Sequence, residues 1–521
     1  MSADRNGHST LRYSPGVLIL RDDAGPAIGH GHAMRCLALA QAWQDAGGEA
    51  VFAMAQPPSP FTERLQAEDI SLVCIKAVPG SPEDAAQVRE LAEERGAAWV
   101  VVDGYHFSAS YQRAIKDAAL KLLLIDDHGG GPYFADLVLN QNLQASEGMY
   151  EQRGPNTRLL LGTRYALLRR EFAKWREWKR EISPIARKLL VTMGGSDPEN
   201  FTARVLQALA PGPMTELEAA VVIGGSNPHT EDLERAGAQA ASVRLHRNVA
   251  DMGSLMAWAD MGISAAGATC WELCLLGLPA LLIDLAPNQR PLAEELHRRG
   301  AAIHLGSLHD TSVEKLAQEL EETARSPETR GRMSARARSL VDGRGAERVV
   351  RGMLGSGLQV RRAEEKDCRL LWEWANDPEV RAASFTSEPI PWEAHQEWFS
   401  AKLADPGCIL YVISDAQWGP IGQVRYDLRR NRALVSLSLG REFRGRGYGC
   451  LVLDQTLEEL RRTTAVAAVD AFVKPENQAS LRLFEQAGFR RQATELHSGQ
   501  AAVHFVAESN SRGDGLEQTD I

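Results

Sequence analysis

The run VLIL at residues 17–20 and the stretch that follows it, IGHGHAMRCLALAQAW at residues 28–43, decide the fold. Consecutive aliphatic residues suit a strand covered on both faces, and Gly29 and Gly31 then open onto an amphipathic helical segment, Met34–Ala46. Strand, glycine loop, helix is the first unit of a doubly wound parallel sheet. The rhythm continues through strand candidates at Ala50–Ala53, Trp99–Val102, Leu122–Ile125 and Leu137–Leu139, with a helical stretch at Pro82–Arg95. It begins again at Leu189–Thr192, followed by MGGSDPEN at 193–200, and runs on through Ala219–Ile223, Met261–Ser264 and Ala280–Ile283. Two α/β halves, 16–170 and 171–345, with a cleft between them are therefore expected behind a polar leader, 1–15.

The rhythm stops in a Gly- and Arg-rich stretch, of which 346–358 is expected as a linker. From 359 to 507 a helical segment, Cys368–Ala375, precedes consecutive strand candidates at Ile409–Ile413, Gly422–Asp427 and Leu434–Leu439. That order predicts an α+β domain with largely antiparallel pairing, followed by a disordered tail, 508–521.

Length and composition agree. The 521 residues leave room for about three to five folding units, and 44% apolar with 24% charged residues is ordinary globular usage. A net charge of -10 offers no footprint for a polyanion, so nucleic acid is not expected as a partner. The seven cysteines are scattered without a C-x-x-C pair, so neither a disulfide framework nor a metal site is expected. Cys270 and Cys274, on one helical face, read as packed core residues. The first residues lack an apolar signal core, and no apolar run approaches the roughly 18–20 residues of a membrane span, so the expected address is the cytoplasm and no membrane partner is expected.

The chemistry of the first two halves gathers at strand ends. Gly31 lets a ligand approach the backbone, and the helix start behind it offers N–H donors to a phosphate. His32 sits beside that position, either as a general base that takes a proton from water or as a capping or packing histidine. Gly194, Gly195 and Ser196 suit a second phosphate loop. Farther on, Gly267 and Thr269 precede a helix carrying Glu272, and Asn288 and Gln289 follow the next strand. Small residues, an acid for ribose hydroxyls and an amide pair suit a nucleotide-sugar, although Glu272 also reads as a solvated helix residue and Asn288 as a turn residue.

These motifs resemble the pseudaminic-acid pathway hydrolases that release UDP from a 2,4-diacetamido-2,4,6-trideoxy-altropyranose, and whose fold is similar to the two-Rossmann (GT-B) glycosyltransferases. The likeness spans about 16–310 and rests on Arg21 and Asp23, the G-x-G-H-x-x-R run ending at Arg35, Asp103 with Tyr105, Asp126–Asp127, YALLRREF at 165–172, MGGSD and the final Asn288–Gln289. It implies α/β architecture in two Rossmann-like halves, His32 as catalytic base, and substrate contacts from Tyr105, Asn288 and the Asp23 motif. His30 stands where a small or apolar residue is commoner, and so competes with His32 for the base role.

In the last domain Arg444, Gly445, Arg446, Gly447, Tyr448 and Gly449 form a glycine loop that opens a helix, able to wrap a pyrophosphate. Asn477 and Ser480 precede a second helix. The pair resembles the GNAT acetyltransferases, which implies acetyl-CoA as cosubstrate held by the loop and by Asn477. Phe484 stands where that family often supplies a tyrosine acid, leaving Glu442 and Asp470 as base candidates. Arg381 and His395-x-x-Trp398-Phe399 resemble the acceptor segment of sugar-nucleotide 4-amino acetyltransferases. Together the resemblances imply a bifunctional enzyme that acetylates a UDP-linked 4-amino-4,6-dideoxy-AltNAc and hydrolyses the product. The alternatives are a UDP-sugar glycosyltransferase, or a hydrolase with a silent acetyl-CoA-sensing domain. The oligomeric state is not legible.

Overall fold

The structure, a computed structural model, describes residues 15–25, 30–209, 217–238, 242–247, 249–415, 418–445 and 447–508. The leader up to 14, Gly29, Arg446 and the tail beyond 508 lie outside the described residues. The rest divides into two compact units, 15–350 and 351–508.

The first unit holds two parallel sheets. Strands β1 (Val17–Asp22), β2 (Glu49–Met54), β3 (Ser71–Cys74), β4 (Ala97–Asp103), β5 (Leu122–Ile125), β6 (Leu137–Asn140) and β7 (Arg158–Leu161) form a seven-stranded sheet in the order β3-β2-β1-β4-β5-β6-β7. Strands β8 (Lys188–Thr192), β9 (Glu218–Ile223), β10 (Val243–Arg247), β11 (Met261–Ala265), β12 (Ala280–Asp284) and β13 (Ile303–Ser307) form a six-stranded sheet in the order β10-β9-β8-β11-β12-β13. Both faces are covered. In β8, Leu189 and Val191 enter one buried cluster while Leu190 enters the other, the alternation a sheet between two helix layers requires. Cys270 and Cys274 lie in the second of these clusters, as core residues.

Local signals fix the crossover helices. Ser81 caps Pro82–Arg95 by accepting from Asp84 N, proline stands in its first turn, and Gly96 ends it in the left-handed region at φ 59°. The strand orders reverse between β1 and β4 and again between β8 and β11. At such a point the chain leaves neighbouring strands toward opposite faces, and a crevice opens at their carboxyl ends.

The second unit is a mixed sheet of β14 (Leu358–Arg362), β15 (Cys408–Asp415), β16 (Gly419–Arg429), β17 (Arg432–Leu439), β18 (Ala468–Val473), β19 (Arg490–His497) and β20 (Gln500–Glu508), ordered β14-β15-β16-β17-β18-β20-β19. Pairing is antiparallel except between β17 and β18, which run parallel and pair only from Arg432–Leu434 to Ala468–Asp470. Beyond Leu434 the two strands part, leaving a wedge in the sheet. The segment expected as a linker is largely regular: helix Gly345–Leu354 crosses the boundary between the units and β14 starts at Leu358. Among the described residues no helix is long and apolar enough to cross a membrane.

Candidate functional site

The crevices of the two sheets in the first unit share one cleft of about 1530 Å³. On the side of the first sheet, helix Gly31–Asp45 follows β1 with no side-chain cap, so its first N–H groups are left for a ligand. A Cβ at Gly31 would meet nothing within 4 Å. His32, in the first turn, places Nδ1 2.6 Å from Oδ1 of Asp103, the last residue of β4. Arg35 Nη2 stands 3.1 Å from the same Nδ1, but the carboxylate at 2.6 Å only accepts, so the shorter contact assigns the proton to Nδ1, and in the neutral ring the lone pair is on Nε2. Arg35, one turn on, donates to both oxygens of Asp103 and to both of Asp127. Burial alone would raise the Asp103 carboxyl, but Arg35 and His32 hold it far below the ordinary carboxylate range.

Tyr105 packs edge-on against His32 at 5.0 Å between ring centres, donates to Asp127 at 3.3 Å, and accepts from Asn288 Nδ2 at 3.2 Å. Its hydroxyl is pushed up to about 12 by burial and then by Asp127, so it stays protonated. His32, Tyr105 and Asn288, far apart in the chain, thus meet across the cleft.

The opposite wall comes from the second sheet. Gly194 (φ 78°), Gly195 and Ser196 follow β8 and line the cleft. Asp197 is spent on structure, accepting from the backbone N–H of Phe201 and Thr202 and from the Thr202 hydroxyl. A Cβ at Gly224 would lie 2.3 Å from the Gly194 carbonyl oxygen, so this glycine lets β9 pass beneath the loop. Sequence reasoning missed it, although IGG after a strand was the available signal. Gly267 and Thr269 open helix Thr269–Leu276, again without a side-chain cap.

Glu272 lines the cleft and is not a solvated helix carboxylate: its side chain is 13% exposed and its Oε1 accepts from Arg169 at 2.8 Å. Burial raises its carboxyl, and Arg169 offsets part of that rise. Gln289 uses Oε1 to hold Leu285 N, which turns its amide group toward Gly267. Asp23 stands apart. It is buried, absent from the cleft lining, and accepts from Arg21 and from Ala55 N.

Asp22, paired in register with Asp103, was also missed. It is fully buried and neither of its carboxyl oxygens has a hydrogen-bond partner. Burial, then Asp103 and Asp23, push its pKa well above the ordinary value, so the folded protein keeps a proton there that the unfolded chain releases above about pH 4. Stability from this group therefore falls by about 1.4 kcal/mol per unit from about pH 4 upward and levels off once pH passes the raised folded value. Asn cannot titrate. In denaturant melts at about pH 5 and about pH 8 the Asp22→Asn protein is expected to gain on the parent at the higher pH. A difference independent of pH would show that Asp22 is ionised in the fold.

In the second unit the wedge between β17 and β18 is flanked by two helix starts. Gly445 (φ 69°) and Gly447 (φ 84°) shape the loop before helix Tyr448–Thr463, which has Gly447 as its uncapped N-cap. Asn477 caps helix Gln478–Gln486 by accepting from Ser480 N at 3.1 Å. Gly449 serves packing, since a Cβ there would meet Leu483 at 3.1 Å, and Tyr448 is buried against Phe443. Arg444 is committed elsewhere, donating to Asp377, Glu379 and the Leu439 carbonyl.

Of the base candidates, Asp470 is held below its ordinary range, against desolvation, by Arg432 and His504. Glu442 is exposed, and Arg381 is spent on the backbone carbonyls of Ala375 and Thr386. His395 is buried, stacked on Phe399. Phe484 belongs to the core beside Phe489 and Phe505, so this position supplies no hydroxyl.

Both architectures have relatives. Residues 189–349 match the glycosyltransferase family 28 C-terminal domain, and residues 358–490 match the acetyltransferase (GNAT) domain. An uncharacterised protein of Methanocaldococcus jannaschii is 21% identical over 75% of this chain and 81% of its own. The UDP-2,4-diacetamido-2,4,6-trideoxy-beta-L-altropyranose hydrolase of Campylobacter jejuni is 26% identical over 54% of this chain and 97% of its own. Among solved structures, spermidine N-acetyltransferase of Vibrio cholerae with CoA and spermine is 20% identical over 29% of this chain and 96% of that one, with a TM-score of 0.28. The chain thus joins a region similar to a UDP-sugar hydrolase to a GNAT domain.

Proposed function

We propose that the protein is a fused pair of consecutive enzymes: the GNAT domain acetylates the 4-amino group of UDP-4-amino-4,6-dideoxy-AltNAc with acetyl-CoA, and the first unit hydrolyses the resulting UDP-2,4-diacetamido-2,4,6-trideoxy-β-L-altropyranose. The observation that carries the hydrolytic half is the Asp103–His32 pair, whose Nε2 is left to act on water inside a cleft lined by Tyr105 and Asn288. Nε2 takes a proton from water as the water oxygen bonds to the anomeric carbon. The C–O bond to the β-phosphate breaks with inversion, and its electron pair leaves with UDP. The N–H groups behind Gly194–Ser196 and at Thr269 meet the diphosphate, and Glu272 accepts ribose hydroxyls.

In the second unit the acceptor amine attacks the thioester carbonyl. The N–C bond forms, the C–S bond breaks, and the proton that the nitrogen sheds ends on the thiolate. The loop at Gly445 and Gly447 and the helix start behind it receive the pyrophosphate of acetyl-CoA, and the pantetheine arm enters the wedge beside Asn477.

Purified protein incubated with the 4-amino UDP-sugar should release UDP only when acetyl-CoA is present, and CoA thiol should appear with it. The diacetamido UDP-sugar should release UDP without acetyl-CoA. UDP release from the 4-amino compound at the same rate without acetyl-CoA would overturn the order of steps. The acetyl-CoA sensor remains a second reading because Phe484 offers no acid; acetyl-CoA binding without CoA thiol release would favour it.

Glu272→Ala should weaken UDP binding by about 1–3 kcal/mol while leaving acetyl-CoA binding unchanged. Arg169 keeps Glu171 as a partner at 2.8 Å, so the change does not strand the guanidinium. Unaltered UDP affinity by calorimetry would remove Glu272 from the nucleotide site.

A further inference from the structure

His30 is the N-cap residue of helix Gly31–Asp45, in the half that carries His32, yet its side chain reaches the opposite wall. Its Nε2 lies 3.3 Å from the Ser226 hydroxyl. Its ring occupies the space that a side chain at residue 195 would need: a Cβ on Gly195 would lie 2.2 Å from His30 Nδ1. That Nδ1 is buried and has no hydrogen-bond partner. A buried polar nitrogen without a partner is costly, and one at the rim of a ligand cleft is satisfied when the ligand arrives.

The two histidines differ in what they face. His32 meets a carboxylate through Nδ1, which in the neutral ring leaves the lone pair on Nε2. His30 meets a hydroxyl and a glycine loop. A Ser226 hydroxyl that donates to Nε2 leaves the proton on Nδ1, as a donor with nothing yet to bond. Burial also lowers the proton affinity of His30, which keeps the ring a neutral donor.

We propose that His30 is a catalytic residue on the leaving-group side, its Nδ1–H donating a hydrogen bond to the diphosphate oxygens as the bond to the anomeric carbon breaks. This rests on the hydrolase reading. Negative charge grows on the diphosphate in the transition state, and a donor already beside Gly195 of the Gly194–Ser196 loop stabilises it. No proton is transferred in this step: the water proton goes to His32, and UDP leaves as the anion.

The test uses the full chain, with UDP and UDP-2,4-diacetamido-2,4,6-trideoxy-β-L-altropyranose as probes. His30→Ala should lower kcat by about tenfold to a hundredfold and weaken UDP binding about tenfold. His30→Asn, whose amide N–H stands near the position of Nδ1–H, should recover most of both. His30→Gln, which places its amide where Nε2 lies, should not. If His30→Ala keeps kcat and UDP affinity within about threefold while His32→Ala is inactive, the proposal fails and the hydrolase reading stands. If the parent protein releases no UDP from this sugar, the hydrolase reading fails. UDP affinity then still decides His30, since an unchanged Kd in His30→Ala, or equal Kd in the Asn and Gln variants, overturns it.

Discussion

His32→Ala is expected to abolish UDP release, with kcat down by about 10³–10⁴-fold, while the protein still binds UDP within about threefold of the parent. The separation follows from geometry. The imidazole stands with Asp103 and Tyr105 at the ends of β1 and β4, whereas the proposed diphosphate and ribose contacts, His30 apart, come from the loops after β8 and β11. Water loses its proton acceptor, and the nucleotide loses little. Asp103→Asn should cost about 10²–10⁴-fold in kcat through a different route. An amide can present its N–H to Nδ1, which favours the tautomer with the proton on Nε2, and the base is then blocked. Arg35 keeps Asp127 as a partner, so the wall should hold. Steady-state UDP release with calorimetry on the same preparations reads both quantities. A parallel loss of UDP affinity in His32→Ala would make His32 a structural residue, and an Asp103→Asn protein with parental kcat would remove the dyad from the mechanism.

The central strands of both parallel sheets are legible because burial on two faces demands unbroken aliphatic runs: VLIL, WVVV and LLLI can be little else. The strands that sequence reasoning misses in this unit, β3, β7, β10 and β13, are the four sheet edges. SLVC and VRLHR bury little, and their patterns fade accordingly. In the second unit RRQATELH, the edge strand β19, is almost wholly exposed and carries no pattern at all.

The site shows the same division. Glycine loops at strand ends announce themselves, since the positive φ at Gly194 and Gly447 favours glycine. Partnerships across the fold do not. Nothing local in the sequence says that Arg169 meets Glu272, that Arg444 turns to Asp377, or that His30 crosses to Ser226. Glu272 reads as exposed only because the residue that covers it lies far away in the chain. Arg444 reads as a phosphate ligand because its partner belongs to another helix. Charged residues in a motif are thus less legible than glycines, whose requirement is backbone geometry.

Gly447→Glu should remove acetylation and spare hydrolysis. Gly447 holds φ 84° at the uncapped start of helix Tyr448–Thr463, and a Cβ there would meet nothing within 4 Å, so the added side chain has room. Two effects follow. A non-glycine residue in the left-handed region costs roughly 1–2 kcal/mol, and a carboxylate at the mouth of the loop proposed for acetyl-CoA repels its pyrophosphate. Gly447→Ala carries the first effect alone and should weaken acetyl-CoA binding by about tenfold or less. Gly447→Glu should weaken it by about a hundredfold or more, with no detectable CoA thiol release from the 4-amino UDP-sugar. UDP release from preformed diacetamido UDP-sugar should stay at the parental rate, because the residues proposed for it all lie in the other compact unit. Equal losses in the Ala and Glu variants would trace the effect to backbone strain and take the pyrophosphate out of this loop. An impaired hydrolysis in Gly447→Glu would show that the two chemistries are coupled.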